Sequence, residues 1–363
     1  MKRFPSSLLV ALVASALPSC SSAPATKPHD EGSRHAAASA SLPAPGSAVL
    51  LRPAEVPPAE GVPYRIVIRL EGQREATMSG GSEQTEPAGE QIDLQLDYRE
   101  LPLPPTEGGG PGPESVLLLL DAFRHHQISA GHPAREGEVE LASDRLRVLS
   151  QKKPSLDLRG AQPKENLTPR ILLQKPFAVL QPVVEGDRVV ATLRGTPPAK
   201  KFLRPFGLVD ILRWTRIGLP EGEVHAGSVW EMPRFPADPA GGVGLELPIR
   251  YELMGFQELD GVPCAWIRVS SKVDSEELKS AGGLRFSRVT ATVKGDGYVE
   301  LATRRVRRYV LEDEVRAEWS AGQGAATLDT RIRYRTHAEL SQLDEPSLTI
   351  GRWADGAKAF DPR

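Results

Sequence analysis

The chain has 363 residues, 40% of them hydrophobic and 25% charged, with 45 Lys and Arg against 47 Asp and Glu. This composition excludes wholesale disorder and a polytopic membrane protein, and the lack of a basic excess argues against nucleic acid as a partner. Thirty-three glycines and 33 prolines point to many turns and few long helices.

Residues 1–19 read as an export signal. Lys2 and Arg3 form a basic start, and Leu8 to Leu17 is an apolar run of ten. That run is too short to cross a bilayer, which needs ~20 apolar residues. Leu17-Pro18-Ser19-Cys20 then resembles the lipobox of bacterial lipoproteins, with a small residue ahead of the thiol. The resemblance implies that Cys20 is lipidated, becomes the mature N-terminus and holds the protein on the membrane. Ser21, in place of Asp, implies an outer-membrane location facing the periplasm. In the alternative, Cys20 is incidental and cleavage falls at Ala23 or Ala25. With Cys20 lipidated, Cys264 has no partner for an internal disulfide, and its apolar strand makes it an inert small hydrophobe.

Residues 20–61 are rich in Ala, Ser and Pro and read as a flexible tether, which at about 40 residues spans roughly 32–38 Å. A β-rich domain is expected over 62–345, in one piece or as two related halves with a boundary near 200, and residues 346–363 read as a tail. Within the domain, Tyr64, Ile66, Ile68 and Leu70 alternate with more polar neighbours. The same period of two runs through Ile92, Leu94, Leu96 and Tyr98, and through Leu245, Leu247, Ile249, Tyr251 and Leu253. Leu328, Thr330, Ile332 and Tyr334 repeat it near the end. Such alternation marks antiparallel strands with one buried and one charged face. Leu117–Leu120 reads as a buried strand, and Glu107–Pro113 as a linker with no lysine to make it a phosphate cradle.

Turns are expected at Glu185-Gly186-Asp187, Asp260-Gly261, Asp296-Gly297 and Gly322-Gln323-Gly324. One helix is expected over Pro205–Ile217, where Leu208, Ile211, Leu212 and Thr215 share helical spacing and Gly218-Leu219-Pro220 supplies a stop. The fold class that follows is mainly β: a large curved antiparallel sheet, a half-open barrel, with one or two short helices.

Three stretches over roughly 200–335 resemble a group of bacterial envelope lipoproteins with carrier-like open β-barrels. They are Leu219-Pro220-Glu221 through Trp230, Tyr251 through Ile267, and Val293 through Leu311, the last read as another hairpin into a long strand. The resemblance implies a sheet partly closed around a helix and an apolar or amphipathic ligand between the two. Leu208, Ile211, Trp214, Trp230 and Tyr251 are the expected cavity lining. It carries over no catalytic residues. With only 6% aromatic residues, the same fold filled by its own side chains would bind nothing and serve as a structural or interaction protein.

Other chemistry is thin. His125, His126 and His132 are the best metal candidates, but neighbours on a strand point to opposite faces and no zinc spacing completes them, so a solvated strand end and no metal are expected. There is no Gly-x-Ser-x-Gly elbow, and no enzyme activity or cofactor is expected. A secreted hydrolase would require histidine and carboxylate side chains converging in one cleft. Arg304, Arg305, Arg307 and Arg308 are candidates for contact with anionic headgroups, with cross-strand pairing to Glu312-Asp313-Glu314 as the plainer reading. The expected partners are the membrane, through the lipid, and a lipid or an envelope protein.

Overall fold

The computed structural model describes residues 41–346 except 45, 54, 56, 80–87, 103–114, 131–134, 143–144, 151–152, 160–175, 186–187, 196–207, 235–246, 277, 280–284 and 324–325. Cys20, His132, the Glu107–Pro113 linker and nearly all of the C-terminal tail therefore lie outside the described residues.

The protein is mainly β. In chain order the strands are β1 (Val62–Ser79), β2 (Ala88–Pro102), β3 (Val116–Ala130), β4 (Arg135–Ala142), β5 (Arg145–Ser150) and β6 (Lys153–Arg159). They continue with β7 (Pro176–Glu185), β8 (Arg188–Gly195), the helix α1 (Leu208–Trp214) and β9 (Val229–Arg234). The last are β10 (Leu247–Leu259), β11 (Val262–Ser275), β12 (Leu278–Lys279), β13 (Arg285–Glu300), β14 (Val306–Gln323) and β15 (Ala326–Gln342). They form one antiparallel sheet in the order β6-β5-β4-β3-β2-β1-β15-β14-β13-β11-β10-β9. The β7–β8 hairpin joins it through the start of β3, and β12 joins it through β13. The first and last long strands pair along most of their length, from Tyr64↔Gln342 to Ser79↔Thr327, so strands from both sides of residue 200 share one sheet.

Alternation decides which face is the core. Tyr64, Ile66, Ile68 and Leu70 on β1 and Ile92, Leu94, Leu96 and Tyr98 on β2 are all buried and stand opposite one another in register. A row across this inner face reads Leu96, Ile66, Leu340, Tyr309, Gly297, Ile267 and Leu253. The opposite face carries a ladder of charge: Lys294, Glu312, His337, Arg69, Asp93 and His126 are consecutive cross-strand neighbours. Removing the inner row from water drives the sheet together, while the outer row stays hydrated and contributes little per pair.

Two expected turns come out differently. Asp260 (φ 52°) and Gly261 (φ 76°) make the tight β10–β11 turn with both residues left-handed, as a type I′ turn requires. Asp296-Gly297, in contrast, lies inside β13, and the chain turns instead at Leu301–Arg304, where Arg304 takes φ 55°. Asp296 is held in the strand by the Trp266 indole N–H, which donates to its Oδ1 at 2.7 Å. A Cβ on Gly297 would lie 2.3 Å from Ile217 Cδ1, so the glycine serves close packing and not a turn.

The packed region also starts inside the stretch expected to be tether. Val49 bridges Val224, Leu51 is buried in the core, and Arg52 Nη2 donates to the Leu219 carbonyl at 3.5 Å. The apolar side chains of Val49 and Leu51, set among alanines and prolines, give this segment enough burial to dock.

Candidate ligand site at the helix-capped end of the sheet

Helix α1 is seven residues long, and its side chains Ile211, Leu212 and Trp214 are all buried on the inner face. Its last turn is closed by Thr215, whose backbone N–H and hydroxyl both donate to the Ile211 carbonyl at 2.9 Å. Gly218 and Pro220 then turn the chain out toward β9, and the Trp230 indole donates to the Gly218 carbonyl at 2.7 Å. Trp230 also stacks on Tyr251 with ring centroids 5.7 Å apart.

Of the expected cavity lining, Ile211, Trp214 and Tyr251 are 3%, 1% and 0% exposed, and Trp230 is half-buried against them. The Leu208 side chain lies outside the described ones. These side chains join the hydrophobic core, so the wall they form is filled by the protein's own groups.

Polar groups are buried beside that wall. Asp313 on β14 accepts from Trp214 Nε1 at 3.1 Å through Oδ2, while its Oδ1 has no hydrogen-bond partner among the described residues. The Thr330 hydroxyl also lacks one, and Thr336, the cross-strand neighbour of Asp313, sets its hydroxyl beside the carboxylate. Burial pushes the Asp313 carboxyl up to about 7 against the opposing pull of Thr336 and Trp214. A buried polar atom without a partner costs on the order of 1–3 kcal/mol, so such groups on an apolar face ask for an explanation.

A second cluster lies at the C-terminal end of the helix. Tyr64 and Tyr98 stack with centroids 5.6 Å apart, and Glu100 is two residues beyond Tyr98 on the same buried face. Glu100 accepts from Arg216 Nη2 through Oε1, and its Oε2 lies 3.6 Å from Arg305 Nη1. Arg305 Nη2 also donates to the Glu55 carbonyl at 2.9 Å, which ties the N-terminal segment to the same point. Burial raises both phenols, with Glu100 adding to the effect, so they are neutral donors at ordinary pH.

The arginine run is dispersed. Arg305 is buried in this cluster, Arg307 pairs with Asp344 at 3.4 Å, Arg308 pairs with Glu339 at 3.0 Å, and Arg304 is in the turn. None of these pairs involves the Glu312-Asp313-Glu314 run. Glu312 pairs with Lys294 at 2.8 Å, and Glu314 draws Arg316, Arg333 and Arg335.

The histidines divide between the faces. His125 is buried and stacked on Phe123, and burial with His126 beside it pushes its pKa down to about 4, so it is not on a solvated strand end. His225 is exposed in its turn, where its backbone N–H donates to Ser228 Oγ. Among the described residues no three histidine, cysteine or carboxylate groups are placed to hold a metal ion.

Asp313 and Glu100 were both legible by parity. Leu311, Asp313 and Val315 share one phase, and Glu100 continues the phase of Ile92 to Tyr98, so each carboxylate falls on an apolar face. Arg216 and Arg305 carry no comparable signal, because only the tertiary fold brings them to Glu100.

No protein-family model and no curated protein matches the chain. Among solved structures, one described by lipid–protein interactions in lipovitellin superimposes with a TM-score of 0.36 at 9% identity, covering 79% of this chain and 26% of that one. The chain thus spans about a quarter of the lipovitellin chain it matches. A structure of botulinum neurotoxin type C, whose cell entry depends on two ganglioside molecules, gives a TM-score of 0.10 at 5% identity, covering 78% of this chain and 83% of that one. At these scores neither likeness identifies anything specific about this chain.

Proposed function

We propose that the protein is a lipid-anchored component of the bacterial cell envelope, facing the periplasm, that binds an amphipathic ligand and does not catalyse. The observation that carries the binding reading is the helix-capped end of the sheet. There an apolar wall (Ile211, Trp214, Trp230, Tyr251) adjoins a buried carboxylate and a buried hydroxyl, Asp313 and Thr336. Apolar surface with a few convergent polar groups is the composition of a small-molecule site. The short helix, which is tied to the sheet at Trp214, is the element that would move to admit a ligand. The anchoring reading rests on the leader and Cys20.

The test is native mass spectrometry of the full chain carrying Cys20→Ser, expressed with its own leader and purified without detergent. A discrete adduct of lipid mass, lost on organic extraction, is the expected result, and a clean apo mass overturns tight ligand carriage. Wild-type chain from the membrane fraction should yield an N-terminal peptide bearing acyl chains on Cys20, and an unmodified cysteine overturns the anchor.

A second reading, an interaction protein with a filled core, is favoured by the near-complete burial of Ile211, Trp214 and Tyr251. It predicts the apo mass together with capture of an envelope protein.

A further inference from the structure

Where Tyr64, Tyr98, Glu100, Arg216, Arg305 and Gln342 meet, we infer an anion site that takes the phosphate or carboxylate group of an amphipathic molecule. The inference deepens the binding reading and rests on it for the apolar part of the ligand.

Charge and hydrogen-bond donors are both out of balance in this cluster. Two guanidinium groups face a single carboxylate, and Arg305 and Glu100 show only 7% and 9% of their side chains to solvent. A buried cation without a full counter-charge is expensive, and the remedies are a bound anion or an additional carboxylate. Among the described residues no second carboxylate reaches either arginine. Arg216 Nε is buried without an acceptor. The Tyr64 and Tyr98 hydroxyls lie within electrostatic range of Arg216 and Glu100 and add two O–H donors to the cluster. The cluster therefore holds an excess of N–H and O–H donors and of positive charge, which an oxyanion with several acceptor lone pairs matches. Gln342, paired in register with Tyr64, has a buried amide oxygen without a donor, which suits a hydroxyl or a protonated oxygen on the same ligand group.

Access and continuity point the same way. The Arg216 side chain is 24% exposed, so it forms the outer lip of the cluster. On the inward side, Ile217 packs over Gly297 and Trp214 reaches Asp313. A ligand with its anionic group on Arg216 would thus direct its tail along the apolar face beneath the helix.

The test is titration calorimetry of the full chain carrying Cys20→Ser with three probes: dodecyl phosphate, inorganic phosphate and uncharged dodecyl maltoside. Dodecyl phosphate should bind, and Tyr98→Phe and Arg216→Gln should each weaken it by about tenfold or more, the cost of removing one hydrogen bond to a charged group. Tyr98→Phe keeps the ring stack, and unchanged thermal unfolding of that variant separates lost binding from lost folding. Binding of inorganic phosphate at comparable strength, with the same loss in both variants, supports the anion site and assigns it a free anion. The amphipathic reading would then fail separately, through a clean apo mass in the native spectrum. Two results overturn the site: dodecyl maltoside binding as tightly as dodecyl phosphate, and equal dodecyl phosphate affinity in wild type and both variants, absence of binding included.

Discussion

The Trp214 indole on the helix donates to Asp313 in the middle of the apolar sheet face, at 3.1 Å, and leaves the other carboxylate oxygen without a partner. The helix is therefore moored on a group whose charge the core disfavours. Because the folded-state pKa of Asp313 is raised, from 3.8 to about 7, the folded state holds this proton more tightly than the unfolded chain. Its contribution to stability is full below pH 4, declines as pH rises through about 7, and is absent above. Asp313→Asn keeps an acceptor for Trp214 and has no charge to bury. Relative to wild type it should gain stability between pH 4 and pH 8, by on the order of 4 kcal/mol at most, from about 1.4 kcal/mol per pKa unit. Urea unfolding of both proteins at pH 4, 6 and 8 measures this. A constant difference across the three would show that folding does not raise the Asp313 pKa above its unfolded value.

Gly297 and Gly295 should differ in the cost of a methyl group. A Cβ at 297 meets the end of the flexible Ile217 side chain at 2.3 Å, whereas one at 295 meets the Val310 backbone oxygen at 2.1 Å. Gly297→Ala is expected to cost about 1–3 kcal/mol, as overpacking does, and Ile217→Val should restore part of it in a double-mutant cycle. Gly295→Ala is expected to cost more and to be indifferent to residue 217. Equal costs, or rescue at both positions, would contradict this assignment of contacts.

Gly297 marks the limit of what local sequence pattern encodes in this fold. Period-two alternation placed Tyr64 to Leu70 and Ile92 to Tyr98 correctly, because each strand's buried face is decided by its own residues. Asp260-Gly261 was legible because a tight turn needs two left-handed residues, and that dipeptide supplies them at low cost. Asp296-Gly297 carries the same local signal, yet Trp266 and Ile217, distant in sequence, recruit both residues into a strand. The β1–β15 pairing and the meeting of Arg216, Arg305 and Glu100 were not legible, since no local pattern records which distant strands become neighbours. The charged phase-breakers Asp313 and Glu100 mark the candidate site in the sequence, but only as carboxylates on the wrong face.

Cys264 should behave as an inert core residue. It is fully buried on β11, and burial with Glu300 nearby pushes its thiol up to about 11. At pH 8 the reactive thiolate is therefore scarce as well as inaccessible. A thiol-reactive dye should label the native Cys20→Ser chain slowly and the urea-unfolded chain rapidly and completely. Fast labelling of the native protein would show that this part of the sheet opens.

The N-terminal segment should act as part of the domain. Leu51 is buried, Val49 exchanges both backbone hydrogen bonds with Val224 at 2.8 and 2.9 Å, and Arg305 grips the Glu55 carbonyl. Leu51→Ala removes a core side chain and should cost about 2–5 kcal/mol if the surroundings do not collapse. Ala48→Ser, at an exposed neighbour, should be neutral within about 0.5 kcal/mol. Hydrogen exchange gives the sharper measurement: the Val49 and Val224 amides should exchange slowly in wild type and together faster in Leu51→Ala, while the β14 amides keep their protection. Rapid exchange at Val49 in wild type would mean that the segment is tether throughout, and the anchor would then meet the sheet at Val62 and not at the helix-capped end.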